Sequence, residues 1–224
     1  LTGVYEIMIR SVNNEVMVNI ISDIENTPLL NIDVDSLYLN DKHIKGKEYL
    51  IDEINKYKFS IYPLSFYQIN NEGMTSIYNK AKEYILGDTL LDLYCGTGTI
   101  GIWMSDIFRK VVGVEINESS IKNANINKKL NNINNIEFIC SDAKRIKGKF
   151  DSIIVDPPRN GLSKEVINYI NNSNSKRLVY ISCNYKTLKR DIDLLSNYAL
   201  KDISICDMFL RTKHVECVCM LEKL

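Results

Sequence analysis

A cysteine at the end of a predicted strand has the clearest capacity for chemistry in this chain. Cys183 follows the apolar run 177–181 and Ser182, and Asn184 then begins a polar stretch that is compatible with a helix. Open α/β sheets place their reactive groups at the carboxyl ends of strands. A thiol used only for packing would lie within the apolar run. The position predicts a reactive thiol, with nucleophilic attack, metal ligation and packing as the alternatives.

The other cysteines argue against a metal site. The chain has six cysteines and no CxxC pair. Those in or beside apolar runs, where reduced structural cysteines occur, are Cys95, Cys140, Cys206 and Cys217 or Cys219. Zinc or iron–sulfur ligation is therefore not expected, and no metal is predicted. The reduced thiols indicate a cytoplasmic protein.

A glycine turn with two carboxylates has the composition of a cofactor site. Residues 90–101 (LLDLYCGTGTIG) predict a buried strand, a tight turn at Gly96 and the start of a helix. Their GxGxxG spacing alone fits a dinucleotide as well. Glu115 ends the next predicted strand, where a carboxylate binds ribose hydroxyls, and Asp142 follows the third, at the depth of an adenine amino group. The alternative is that both carboxylates only cap the following turns.

A double proline follows the fourth strand of this region. Asp156 ends that strand, and Pro157 and Pro158 come directly after it. Two prolines stiffen a loop in an extended conformation. Such a loop would hold Asp156 and the backbone around a flat ring, as in enzymes that methylate nucleobases. The alternative is a stiff connector without a ligand.

Two regions position these residues. Residues 2–62 predict a small antiparallel sheet, with a turn at Asn13-Asn14 and further strands at 36–39 and 49–54. A linker at 61–70 leads into an amphipathic helix at 72–86.

From Thr89 onward strands and helices alternate, which is typical of a parallel α/β sheet. Strands are predicted to end near Tyr94, Glu115, Cys140, Asp156, Ser182 and Cys206, followed by a last strand at 215–221. The short connection 208–214 requires the last strand to run antiparallel to its predecessor. The predicted fold class is α/β, a Rossmann-like seven-stranded sheet with an antiparallel last strand, preceded by a small β-rich segment.

The overall composition limits the kinds of partner that the chain is expected to bind. The 28 basic and 28 acidic residues balance, so the chain has no global basic field for nonspecific nucleic-acid binding. No stretch approaches the roughly 18 uninterrupted apolar residues of a membrane span. The chain opens in mid-pattern without Met, and we therefore expect it to be a fragment of a longer protein.

Taken together, the motifs resemble those of RNA uracil-5-methyltransferases. The matching motifs are 66–70 (FYQIN), 92–98 (DLYCGTG), 156–159 (DPPR), 182–184 (SCN) and 214–216 (HVE). The resemblance runs from Ser65 to the end and implies a methyltransferase domain at 65–224 that uses S-adenosylmethionine. The resemblance also implies that residues 1–64 are the remainder of a central RNA-contacting domain. The family's N-terminal oligonucleotide-binding barrel and its iron–sulfur cluster are not visible in this sequence.

The resemblance also implies residue roles. Cys183 would attack C6 of a uracil so that C5 becomes nucleophilic, and Glu216 would remove the C5 proton after methylation. The cofactor contacts it implies are Gln68, Tyr94, Gly96, Thr99, Glu115, Asp142 and Asp156. Asp156 would lie between the sulfonium and the uracil, and the target base must be flipped to reach the thiol.

The expected partner is RNA, with 23S ribosomal RNA favoured over transfer RNA, and the protein is expected to be a monomer without membrane contact. This segment alone is expected to bind cofactor but to methylate RNA weakly or not at all. One alternative is RNA cytosine-5 methylation, in which the catalytic cysteine follows a proline after the fourth strand, but residues 156–159 contain no cysteine. The other is a noncatalytic RNA- or nucleotide-binding module, against which Cys183 and Glu216 argue.

Overall fold

The computed structural model describes residues 3–23, 32–65, 70–208, 212 and 215–224. The chain divides into two compact units, Leu1–Tyr67 and Gln68–Leu224. No helix in the described ranges is both long and apolar enough to cross a membrane.

The first unit contains one mixed sheet and one separate hairpin. Strands β1 (Val4–Val12), β2 (Glu15–Ser22), β3 (Ser36–Leu39) and β4 (Lys42–Gly46) form the sheet in that order. The predicted turn at Asn13 and Asn14 is confirmed, because both residues have positive φ, as the tightest hairpin turns require.

Two details of the predicted antiparallel sheet are wrong. Strand β3 pairs with β2 in parallel, because residues 23–35 between them leave room for a crossover connection. Strand β5 (Leu50–Ile54) does not extend the sheet but forms a hairpin with β6 (Tyr57–Ile61). The strands themselves lie where the apolar alternation predicts them.

The second unit is the predicted α/β sheet. Helix α1 (Asn71–Tyr84) precedes β7 (Thr89–Leu93), α2 (Thr99–Met104), β8 (Lys110–Glu115), α3 (Glu118–Leu130) and β9 (Ile136–Cys140). The chain continues with β10 (Ser152–Val155), α4 (Lys164–Asn172), β11 (Arg177–Ser182), α5 (Tyr185–Leu194), β12 (Tyr198–Cys206) and β13 (Glu216–Lys223).

The seven strands are arranged in the order β12-β13-β11-β10-β7-β8-β9. Strands β7 to β11 pair in parallel, whereas β13 is antiparallel to both β11 and β12, as predicted. The strand order reverses at β7, which has β8 on one side and β10 on the other. In such sheets ligands bind beyond the carboxyl ends of the strands at this reversal.

A continuous apolar core holds these strands in place. Leu91, Leu93, Ile153 and Leu178 are fully buried, and α4 packs Ile170 against them. Because strands of a parallel sheet are covered on both faces, their interiors are nearly all apolar. The polar residues that remain at the strand ends therefore share one edge of a rigid sheet.

Candidate active site

The antiparallel last strand brings Glu216 to the edge that carries Cys183. In the register of β11 and β13, Ser182 pairs with Cys217. The next position along β11 is Cys183 and the preceding position along β13 is Glu216, so the two residues lie at adjacent places beyond the end of the pair. A parallel last strand would have put Glu216 at the opposite edge.

Three acidic or thiol groups at this edge interact electrostatically. Burial, followed by the charges of Glu216 and Asp156, raises the pKa of the Cys183 thiol. Burial likewise raises the pKa of Glu216 to about 7. The pKa of Asp156 is raised to about 7 by burial and by Glu216. These electrostatic effects show that Cys183, Glu216 and Asp156 belong to one cluster, in which the two carboxyls change charge near neutral pH.

Arg159 is the cation of this cluster. Its charge opposes the raised pKa of both Cys183 and Glu216. Its backbone oxygen accepts hydrogen bonds from Asn184 Nδ2 at 2.9 Å and from Thr187 Oγ1 at 3.2 Å. The loop after β10 is therefore attached to the first turn of α5, directly beside the thiol.

A buried carboxylate on α5 holds the rest of that loop. Asp191 is fully buried, and its Oδ2 accepts from the Leu162 amide at 2.8 Å and from the Tyr180 hydroxyl at 2.7 Å. Its Oδ1 accepts from Arg190 Nη2 at 2.6 Å, and the same guanidinium donates to the Asn160 oxygen at 2.9 Å. A buried carboxylate requires such partners. Asp191 therefore links the loop after β10, strand β11 and helix α5 into one unit.

The glycine turn after β7 has the open and strained backbone of a ligand cradle. Gly98 has φ +82°, and a Cβ there would lie 2.5 Å from Phe138 Cζ. Gly96 has φ +52°, but within the described part of the chain no residue other than its two chain neighbours lies within 4 Å of the position that a Cβ would occupy. Tyr94 also has a positive φ of 64°, which is uncommon for a residue with a side chain and concentrates at functional sites.

Glu115 and Asp142 occupy the ends of the next two strands, but their contacts differ. Glu115 Oε2 accepts from the Gly96 amide at 3.3 Å, and its Oε1 accepts from the Asn117 amide at 2.9 Å. Asp142 is bonded to Lys144 through the backbone amide at 3.1 Å and the ammonium group at 2.9 Å, which lowers the pKa of the carboxyl. Glu115 thus contacts the glycine turn, whereas the contacts of Asp142 are those of the capping alternative.

Two side chains near the cluster had no predicted role. Asp92 is fully buried, and neither carboxyl oxygen has a partner in full hydrogen-bond geometry among the described residues, although the Gly101 amide acts to lower its pKa. Burial and the charge of Asp156 raise its pKa well above the usual range. The position of this carboxyl inside the apolar run 90–93 could have identified Asp92 as a candidate site residue from the sequence. Tyr78 of α1 contacts Thr99 Oγ1 at 3.1 Å and interacts electrostatically with Asp156. The helical pattern alone does not distinguish it from a core residue.

The structure places most predicted site residues at one edge of the sheet. Cys183, Glu216 and Asp156 lie together, and Tyr94, Gly96, Thr99 and Glu115 surround the glycine turn. Gln68 and His214 lie outside the described residues. Among the cysteines, Cys95 is buried, both Cys217 and Cys219 are buried where only one was expected to be structural, and Cys140 ends a strand as predicted but is exposed rather than packed. Its thiol is exposed because β9 is an edge strand and Cys140 is its last residue.

A family model described as tRNA (uracil-5-)-methyltransferase matches residues 10–148 and 142–224. An uncharacterized RNA methyltransferase of Clostridium tetani is 41% identical over 187 residues, covering 80% of this chain and 41% of that protein. The tRNA (uracil(54)-C(5))-methyltransferase of Pyrococcus furiosus is 37% identical over 180 residues, covering 80% of this chain and 44% of that protein. The chain thus spans about two fifths of the length of these relatives.

A solved structure shows the same architecture. The tRNA (uracil-54, C5)-methyltransferase of Pyrococcus abyssi, crystallised with S-adenosyl-L-homocysteine, matches with a TM-score of 0.89 and 32% identity. The match covers 98% of this chain and 60% of that one. A tRNA m1G37 methyltransferase of M. jannaschii, at 15% identity and a TM-score of 0.63, shares the fold alone.

Proposed function

The chain belongs to the tRNA (uracil-5-)-methyltransferase family, and on that premise we propose that it methylates C5 of a uridine in RNA with S-adenosylmethionine as methyl donor. The observation that carries the proposal is the cluster of Cys183, Glu216 and Asp156 beside the glycine turn. A thiol and a carboxyl of raised pKa at one strand edge are the two groups that a transient uracil adduct requires.

The residues around the glycine turn fit this cofactor. Because Gly96 has no Cβ, part of a ligand can lie directly against the backbone at this position. Glu115, held against that turn, offers a carboxylate to ribose hydroxyls. Asp156 and Asp92 are buried carboxyls of raised pKa, and a cationic donor bound beside them would favour their ionised forms. When bound, the cofactor would supply an electrophilic methyl group on a sulfonium. Gln68, Tyr94, Thr99 and Asp142 remain proposed contacts on the family resemblance.

In the proposed reaction, side chains of this chain supply both the nucleophile and the proton acceptor. The Cys183 sulfur forms a bond to uracil C6, and the electron pair of the C5–C6 double bond moves into the enolate. C5 takes the methyl group, and its remaining proton passes to a carboxylate oxygen of Glu216. The electrons of that C–H bond restore the double bond and release the thiolate. The thiol must first release its proton to solvent water, and the released thiolate takes one back at the end; Arg159 is the cation that favours the ionised form by opposing the rise in the pKa of Cys183.

For the target we propose 23S ribosomal RNA, through the family resemblance. The relatives from Pyrococcus furiosus and Pyrococcus abyssi act by name on transfer RNA, which makes transfer RNA the competing substrate. We further propose that the protein is a cytoplasmic monomer. We also propose that an isolated segment of this length binds the cofactor but has low affinity for RNA. The balanced charge of the chain supports the last point.

Mapping 5-methyluridine in cells with and without the full-length gene product tests the proposal. We expect the loss of one site in 23S ribosomal RNA and its return when the gene is restored. A site lost from transfer RNA instead would overturn the proposed target and leave the reaction standing. Unchanged 5-methyluridine in both RNAs would overturn the proposed function.

A further inference from the structure

An aromatic ring projects into solvent beside the proposed nucleophile. Tyr185 is the first residue of α5, two positions after Cys183, and is 63% exposed. Tyrosine usually buries much of its ring, so an exposed ring at the mouth of a site is informative. The nearest described ring contact is the Lys186 ammonium, 6.0 Å from the ring centroid.

Two cations that form no ion pair among the described residues lie at the start of α5. Arg159 is held against the first turn of α5 by the bonds from Asn184 and Thr187 to its backbone oxygen. Within the described ranges neither Arg159 nor Lys186 forms an ion pair. The next two cations on the same helix differ, because Lys189 pairs with Asp193 and Arg190 pairs with Asp191. The two cations at the start of α5 are therefore outside any described ion pair, although the charge of Arg159 also acts on Cys183 and Glu216, whereas the charge farther along the helix is neutralised.

We propose that Tyr185, Arg159 and Lys186 form a subsite for the RNA nucleotide next to the flipped uridine. The base of that nucleotide stacks on the Tyr185 ring, and Arg159 and Lys186 contact the flanking phosphates. The inference rests on the proposed function, since it presumes that a uridine enters at Cys183. Flipping one base removes the stacking partner of its neighbour, and an aromatic platform replaces that partner without reading the sequence. In a chain without net charge, local unpaired cations must supply the attraction for phosphate.

The test measures binding of a short fluorescent single-stranded RNA with one central uridine, in the full-length protein carrying Cys183→Ala. The nucleotide beside the uridine is either normal or abasic. We expect Tyr185→Ala to weaken binding of the normal RNA about tenfold and to leave the abasic RNA unchanged, with Tyr185→Phe close to the parent. Arg159→Gln and Lys186→Gln should each lower the slope of log affinity against log salt by about 0.7. Lys189→Gln, whose charge is already paired, is the matched control without effect.

Equal effects of Tyr185→Ala on both RNAs, or no effect on either, would overturn the subsite, as would failure of the parent chain to bind the normal RNA. Failure of the proposed function is a different result. In that case the chain with Cys183 intact forms no adduct with 5-fluorouridine RNA, although the dependence on the neighbouring base persists. In turnover, Tyr185→Ala should raise KM and leave kcat unchanged, which a general loss of folding would not do.

Discussion

Glu216 has the properties of a general base at neutral pH. It is 6% exposed, and its pKa of about 7 lies near the pH at which such a group is most effective. Its charge also raises the pKa of Cys183, so proton transfer and thiolate formation are coupled. An ionised Glu216 disfavours the thiolate, and a Glu216 that has accepted a proton favours release of the sulfur as thiolate.

We predict that Glu216→Gln lowers turnover by at least about 10²-fold, the lower range for loss of general base catalysis. Attack by Cys183 and methylation remain possible in this variant, but the C5 proton has no acceptor. A methylated covalent RNA adduct should therefore accumulate and be detected as a protein of increased mass. Glu222→Gln, on the same strand but paired with Arg177, is the matched control. Full turnover by Glu216→Gln would show that another group removes the proton.

The turn between β7 and α2 contains two glycines with different roles. Gly98 is required by packing of the fold, and Gly96 is required by the ligand. A Cβ at Gly98 would meet Phe138 and Ala124, whereas a Cβ at Gly96 would meet none of the described residues beyond its chain neighbours. Both residues have positive φ, so an alanine at either position costs about 1 kcal/mol in backbone strain. Only at Gly98 does a Cβ also collide with packed side chains.

We predict that Gly98→Ala lowers the free energy of unfolding by about 2–4 kcal/mol, from strain together with overpacking. Gly96→Ala should lower it by about 1 kcal/mol but weaken cofactor binding at least tenfold, because its methyl group occupies the open space. Denaturant unfolding and calorimetric titration with S-adenosylmethionine measure the two effects. Unchanged cofactor affinity in Gly96→Ala would mean that the cradle lies elsewhere.

The elements of the second unit could be predicted from the sequence, because each strand is a compact apolar run and each strand end carries a polar residue. The short connection before β13 was sufficient to predict its direction, and with it the approach of Glu216 to Cys183. The parallel pairing of β2 and β3 could not be predicted, because local alternation does not specify a partner strand. The hydrogen bonds of Asp191 and the complete burial of Asp92 also depend on packing between distant segments.

At the scale of the whole molecule, the carboxyls of the site make the free energy of unfolding depend on pH. Asp92, Asp156 and Glu216 all have raised pKa values, with burial as the first cause. The folded chain therefore retains protons near neutral pH that the unfolded chain has released. Stability from these groups is greatest at low pH and is lost as the pH rises through about 7. Carboxyls of lowered pKa, such as Asp142 and Asp151, act in a more acidic range.

We predict that thermal unfolding without cofactor occurs a few degrees lower at pH 8 than at pH 6. The expected loss is about 1–2 kcal/mol in total, after allowing for the partial exposure of Asp156. Glu216→Gln should flatten this dependence, because it removes one titrating group and one source of the raised pKa of Asp156. A melting temperature that is constant or rises from pH 6 to pH 8 would contradict the assignment of these carboxyls as proton-retaining groups.

The central claim for the molecule is that Cys183 bonds covalently to a uracil. The most direct measurement is the intact mass of the full-length protein after incubation with S-adenosylmethionine and RNA containing 5-fluorouridine at the target, where fluorine at C5 prevents release of the adduct. We predict one RNA-linked species for the native protein and none for Cys183→Ala, which should still bind cofactor. Absence of the adduct in the native protein, or its persistence in Cys183→Ala, would contradict the account.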